Sequence, residues 1–207
     1  MSNLWTLTKA HFSEEILTPG ETIPEVFWNA VAKRGDKVWM RQKELGIWKS
    51  WTWNQAAKDI REIGGGLLSL GLQPGDCAAI LSNTVVDWVL CDLAILSCAG
   101  VTNGIYPTDA ASQVHYLCED SSTTILFVED DEQLDKALEV RDQLPKLRKV
   151  VVLNMEGLRG LDDPNILSLN DLRKLGREFN AKNPGLLDQR AKVRRPEDLA
   201  IDRKSVV

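Results

Sequence analysis

Gln73-Pro74-Gly75-Asp76-Cys77-Ala78-Ala79-Ile80-Leu81-Ser82-Asn83 holds a turn, a strand and the start of a second turn. Pro-Gly suits a β-turn, because proline presets the first turn dihedral and glycine accepts a positive φ at the next position. The five apolar residues 77–81 that follow do not alternate with polar ones, which fits a strand covered on both faces. Both flanks read as helices. Upstream, Thr52-Trp53-Asn54-Gln55 is a capping box that opens an apolar line of Ala56, Ile60, Ile63, Leu67 and Leu70, stopped at Gly71. Downstream, Ser82-Asn83-Thr84 leads into 85–99, apolar on most sides and therefore a buried helix.

The alternation continues in both directions. Strands are expected at 101–105, 124–128 and 149–153, with helices at 111–118 and 132–144 between them. This predicts an α/β fold with a largely parallel sheet flanked by helices. Toward the amino terminus, Thr22-Ile23-Pro24-Glu25 is a second capping box for a helix with stripe Ile23, Val26, Phe27, Ala30 and Val31, ended by Gly35. A hairpin of 37–42 and 47–51 follows, turning through Glu44-Leu45-Gly46. Beyond Asn154 the pattern loosens into a loop. Ser168 with Asp171 starts one more helix reaching Phe179, and 180–195 reads as a surface connection containing the solvated run Lys192-Val193-Arg194-Arg195.

The 207 residues carry a formal net charge of −5, which argues against a nucleic-acid binder or a generally basic lipid-binding surface. Cys77, Cys91, Cys98 and Cys118 sit among apolar residues without metal-ligand spacing and read as core residues of a reducing cytoplasm. The start Met1-Ser2-Asn3-Leu4-Trp5-Thr6-Leu7-Thr8-Lys9 lacks the pattern of a signal peptide. No stretch reads as a transmembrane span, since the most apolar one carries Asp87 and Asp92.

Several motifs invite functional readings. Gly64-Gly65-Gly66 could cradle a phosphate, but it lies within a helical stripe, so close helix packing is the better account. Asn83, at the carboxyl end of a strand, is expected to hold its turn by a side-chain to backbone bond. In Gly104-Ile105-Tyr106-Pro107-Thr108-Asp109, Tyr106 either lines a substrate or thioester channel or is structural, and Thr108 is expected to cap the next helix. Glu129-Asp130-Asp131-Glu132 could hold a cation, but fits better as neutralisation of a helix N-terminus. His11 and His115 stand in no catalytic pattern, and no catalytic or metal-binding residue is assigned. Five of the seven tryptophans fall between Trp28 and Trp53, where they are expected to cement the hairpin to the sheet or to serve an interface.

Taken in order, Ser50-Trp51-Thr52-Trp53, Gly71 to Asp76, Ile80-Leu81-Ser82-Asn83, Gly100 to Thr108, and Arg195-Pro196-Glu197-Asp198-Leu199-Ala200-Ile201 resemble the amino-terminal part of bacterial long-chain fatty-acid CoA ligases. These are AMP-forming acyl-CoA synthetases of the adenylate-forming superfamily. The resemblance implies a chain in which 1–201 forms the amino-terminal part of an AMP-binding synthetase domain, with an incomplete sheet. It implies a parent enzyme that uses ATP, Mg2+ and CoA, takes fatty acid as substrate, and is cytoplasmic with peripheral contact at the inner membrane face. In that family the segment R-P-E-D-L-A-I runs into a strand and a loop of the form T-S-G-T-T-G-x-P-K-G. Here Asp202-Arg203-Lys204-Ser205-Val206-Val207 stands instead, and matches the translation of the sequencing-adapter codons GAT CGG AAG AGC GTC GTG. Residues 202–207 are therefore expected to be a foreign tail, the chain alone inactive and its cofactors unable to bind productively. Self-association through an unpaired strand edge is expected. The alternative is a stand-alone binding or regulatory module of the same fold. A nicotinamide oxidoreductase is excluded because no strand ends in the glycine pattern such a site needs.

Overall fold

The computed structural model describes residues 20–202. Helix α1 (Ile23–Arg34) leads into an antiparallel hairpin, β1 (Val38–Glu44) and β2 (Ile47–Thr52), followed by α2 (Trp53–Ser69). Then come β3 (Cys77–Leu81), α3 (Val86–Ser97), β4 (Val101–Ile105), α4 (Ala111–Asp120), β5 (Ile125–Val128) and α5 (Asp131–Val140), the last extended by a 3-10 turn over Arg141–Gln143. The chain closes with β6 (Lys149–Val152), β7 (Ile166–Ser168), α6 (Leu169–Lys182), α7 (Leu186–Val193) and β8 (Ile201–Asp202). Six strands pair in the order β7-β6-β5-β3-β4-β8, every pair parallel, while β1 and β2 form a separate sheet.

The central strand is the one the opening stretch predicts. All five residues of β3 are buried, and their side chains divide between two cores. Ala78 and Ile80 join the core under α1, α2, α3, α6 and α7, whereas Ala79 and Leu81 join the core under α4 and α5. The two faces of one strand thus seed both layers, as the two-residue repeat of a strand requires.

Most helix ends follow their sequence signals. Thr52 Oγ1 accepts from the Gln55 amide and Gln55 Oε1 accepts from the Thr52 amide, at 3.2 and 2.9 Å, a complete capping box. At α1 only half of the box forms. Thr22 Oγ1 accepts from the Glu25 amide, but the Glu25 carboxylate takes the amide of Glu21 instead of Thr22. Ser168 caps α6 by accepting from Asp171.

The glycine run lies inside α2, as the packing account requires. A Cβ on Gly66 would stand 2.4 Å from the Leu172 carbonyl oxygen, one on Gly65 2.6 Å from the Asn180 side chain, and one on Gly64 2.9 Å from Leu187. From the opposite helix, a Cβ on Gly176 would stand 1.7 Å from the Glu62 carbonyl oxygen. The backbones of α2 and α6 approach so closely that only glycine fits on either side.

Four sequence expectations are corrected. Residues 180–195 are not a surface connection: α7 occupies most of that span, anchored by buried Leu187. Arg194 is not solvated but buried, donating to the carbonyls of Gly100 and Leu199. Thr108 does not cap α4, whose N-cap is Ala110, with the Ala110 amide received by Gln113 Oε1. The tryptophans join the hairpin to helices α1 and α2, not to the main sheet: Trp39 stacks on Trp53 at 4.7 Å, and Phe27 sits against Trp28, Trp39 and Trp53. Trp5, His11 and the tail residues 203–207 lie outside the described residues; Asp202 pairs with Asn103 in β8.

Candidate ligand crevice at the carboxyl edge of the sheet

Strand β3 leaves the sheet toward α3 on one face, while its neighbours β4 and β5 leave toward α4 and α5 on the other. Adjacent connections that diverge in this way open a crevice at the carboxyl ends of the strands, the usual ligand position of doubly wound sheets. Here the crevice flanks Ser82 and Asn83.

Its central group is Glu129. The register Leu81↔Val128 makes Ser82 and Glu129 the next residues along both strands, and the Glu129 amide still donates to the Leu81 carbonyl at 3.1 Å. Glu129 Oε2 accepts from the Asn83 amide at 2.6 Å and from Asn83 Nδ2 at 2.9 Å, and lies 3.2 Å from Ser82 Oγ, which has the Asn83 carbonyl as a nearer acceptor at 2.8 Å. Asn83 therefore holds its turn through a carboxylate on the neighbouring strand, not through its own backbone as expected. Glu129 also separates from the rest of the acidic run. Asp130 caps α5 by accepting from Gln133, and Asp131 and Glu132 lie in that helix's first turn, as expected for neutralisation of its N-terminus. The signal that could have singled out Glu129 is its register: it is the first residue after β5, level with Ser82.

Tyr106 follows β4 on the same edge and is about half exposed. On the far side of that loop Lys136 Nζ donates to the Pro107 carbonyl at 2.6 Å, tying the loop to α5. At the start of α3 the Val86 amide is received by Gln42 Oε1 from the hairpin at 2.8 Å. Each of the three helices that begin at this edge thus has a first-turn or cap amide already answered by a side chain of the chain itself.

This donor set does not fit a nucleotide triphosphate. The Ser82–Asn83 turn is where an anion would be received, and a carboxylate already occupies its amides and would repel phosphate. Nor do the described residues contain a group of His, Cys, Asp or Glu able to hold a metal ion. His115 lies on α4 with its Nδ1 3.9 Å from Glu119, away from the edge. The four cysteines are free and buried, and burial raises all four thiols, that of Cys118 to about 12, which disfavours the thiolate.

Other clefts lie away from this edge. One of about 650 Å³ between α1, α2 and α7 is lined by Trp28, Arg61 and Asp188. Within it Arg61 stacks 4.3 Å over Trp28 and pairs with Asp188 at 2.7 Å. What the edge can do is hold two loops in fixed relation and present Tyr106.

The profile of the family described as AMP-binding enzyme matches residues 27–201. The chain belongs to that family. Among curated relatives it is 38% identical over 117 residues to the long-chain-fatty-acid–CoA ligase FadD15 of Mycobacterium bovis, covering 56% of this chain and 20% of the relative. It is 29% identical over 161 residues to the long-chain-fatty-acid–CoA ligase ACSBG2 of Xenopus laevis, covering 78% of this chain and 22% of the relative. The match thus spans about a fifth of either relative's length. Solved structures share the fold. The anthranilate CoA ligase AuaEII in complex with anthranoyl-AMP superposes with a TM-score of 0.64 at 21% identity, over 73% of this chain and 27% of that one. The A-PCP didomain of the carboxylic acid reductase from Segniliparus rugosus gives 0.67 at 13% identity, over 79% and 28%. Among the described residues no helix is long and apolar enough to cross a membrane.

Proposed function

We propose that residues 27–201 are the amino-terminal part of a long-chain fatty-acid–CoA ligase. That enzyme joins a fatty acid to ATP with release of pyrophosphate, then passes the acyl group from AMP to the thiol of CoA. The reading is carried by the match of the AMP-binding family over 27–201 together with relatives that are long-chain-fatty-acid–CoA ligases. These residues serve as scaffold and channel wall, with Tyr106 facing the acyl or thioester path. ATP, Mg2+ and CoA are held by residues of the intact enzyme outside this span, in keeping with the carboxylate that fills the anion position at Ser82–Asn83. The parent works in the cytoplasm at the periphery of the membrane that supplies its substrate. The 207-residue chain alone is inactive and associates through its β8 edge.

Pyrophosphate exchange tests the reading from both sides. The purified chain shows no palmitate-dependent exchange of labelled pyrophosphate into ATP. The 117 residues that align with FadD15 of Mycobacterium bovis, placed in that ligase in exchange for the matching segment, retain it. Exchange by the isolated chain overturns the assignment of the chemistry elsewhere; a folded chimera without exchange overturns the family function.

A further inference from the structure

We propose that the outer face and tip of the β1–β2 hairpin form a membrane-docking element that seats on a bilayer containing anionic phospholipid. Cross-strand register defines the face. Lys43 stands opposite Trp48 and Arg41 opposite Ser50, all four exposed and none acidic. On the other face Gln42 reaches the α3 amide of Val86, while Glu44 and Lys49, both about half exposed, pair with one another beside Ile47. At the tip, Leu45 is 97% exposed, Ile47 70% and Trp48 62%.

Two features separate this tip from ordinary surface. Leu45 and Gly46 form the two-residue turn with φ of 46° and 83°, the pairing in which both positions must be left-handed. Glycine or asparagine satisfies that demand without cost, whereas leucine carries strain that no contact at the tip offsets, and such strain marks function. Charge is the second. The chain as a whole is at −5, yet this face carries two cations beside a tryptophan. A convex apolar tip with an aromatic ring and flanking basic residues suits the interface of a bilayer: the ring lies at headgroup level, apolar residues enter the acyl boundary and cations meet anionic lipid. The inference rests on the peripheral membrane placement proposed above and names the surface that would make the contact.

Cosedimentation of the full chain with vesicles of phosphatidylcholine, with and without phosphatidylglycerol, decides it. The chain pellets with the mixed vesicles and only weakly with the neutral ones. Replacing both Arg41→Gln and Lys43→Gln weakens binding on the order of 25-fold, two charges at about fivefold each. Trp48→Ala and Leu45→Asp each weaken it by roughly tenfold or more. Lys174→Gln with Lys182→Gln, the same loss of two charges at exposed positions of α6, leaves it unaltered. Leu45→Asn gives the sharpest signature: the chain melts at a higher temperature while binding falls, an outcome that misfolding cannot produce. No pelleting of the parent chain, equal pelleting with neutral vesicles, or undiminished binding by the tip variants overturns the proposal. Pyrophosphate exchange by the chimera is read in solution, so failure here leaves the ligase reading standing.

Discussion

The two faces of the sheet are built on different principles. The face under α4 and α5 is an apolar layer whose main buried polar side chain, Asn103, donates to the Leu117 carbonyl and to Ser121. The face under α2, α3, α6 and α7 buries charge and brings backbones into contact. There Glu62, 6% exposed, accepts from Arg173 at 2.9 Å and Arg177 at 3.0 Å, Arg173 also pairs with Asp59, and Arg194 reaches two carbonyls. A layer held by apolar burial tolerates small shifts of position. One held by glycine contacts and directional bonds does not, because unpaired buried groups cost more than lost apolar area.

The largest expected effect tests the glycine contact. In Gly176→Ala the new methyl must displace the backbone of α2 rather than a side chain, which costs about 3 kcal/mol or more. Gly104→Ala on β4 is the matched control. Its added Cβ would stand 3.6 Å from Trp88, ordinary contact, and its backbone is not left-handed. That change stabilises by about 0.5 kcal/mol through lower chain entropy in the unfolded state. Urea denaturation of both variants reads the two signs, and similar midpoints would erase the distinction between a glycine of contact and a glycine of convenience.

The same contrast explains what the sequence could reveal. On the α4–α5 face strands β3 to β6 and both helices follow from local pattern, their observed ends departing from the expected ones by a few residues, whereas β7, which adds Ile166 to this core, lies in a stretch read as loop. On the other face α7 was missed because Gly185 enters it left-handed with no side-chain cap, and Leu187 is its one buried residue. Local periodicity cannot report a helix that is stabilised by fitting against Gly64, more than a hundred positions away. The crevice was half legible. The strand-end turn at Ser82–Asn83 and the Tyr106 loop could be placed from the alternation of elements, whereas the Glu129 contact depends on strand order, with β5 rather than β4 meeting β3 on that side. Arg194 was hidden for a related reason: a run of basic residues looks solvated until the segments leading into β4 and β8 bring the carbonyls of Gly100 and Leu199 onto one of them.

Arg194→Met sharpens the comparison at the edge of the charged face. The methionine keeps an apolar stem but leaves the carbonyls of Gly100 and Leu199 without the guanidinium, at a cost of about 2 kcal/mol. The loss should be local as well as global. The Thr102 amide, which donates to Ala200 at 3.0 Å, loses hydrogen-exchange protection together with β8, while amides of β5 and β6 lose only what the global change dictates. Uniform loss across the sheet would mean that Arg194 is not what fastens β8.

The smallest effect concerns pH. Burial raises the carboxyls of Asp59, Asp87 and Asp92, all on the charged face, above the ordinary value of 3.8. For Asp92 the nearby Thr102 and Arg194 oppose burial without overcoming it, and neither Asp92 Oδ1 nor Thr102 Oγ1 completes a hydrogen bond. A carboxyl whose folded pKa exceeds its unfolded one holds its proton more tightly when folded. Its contribution is therefore most favourable below the unfolded value and becomes a penalty as pH rises through the folded value, the reverse of a salt-bridged aspartate. Asp92→Asn removes that penalty, so the variant is more stable than the parent at neutral pH. The gain shrinks as pH falls toward 3.8 and the parent carboxyl takes up its proton. Thermal melts of parent and variant across that window measure the convergence. A gain that stays constant with pH would assign the effect to packing or hydrogen bonding at residue 92, and the charged face would then owe nothing to the desolvated carboxylate.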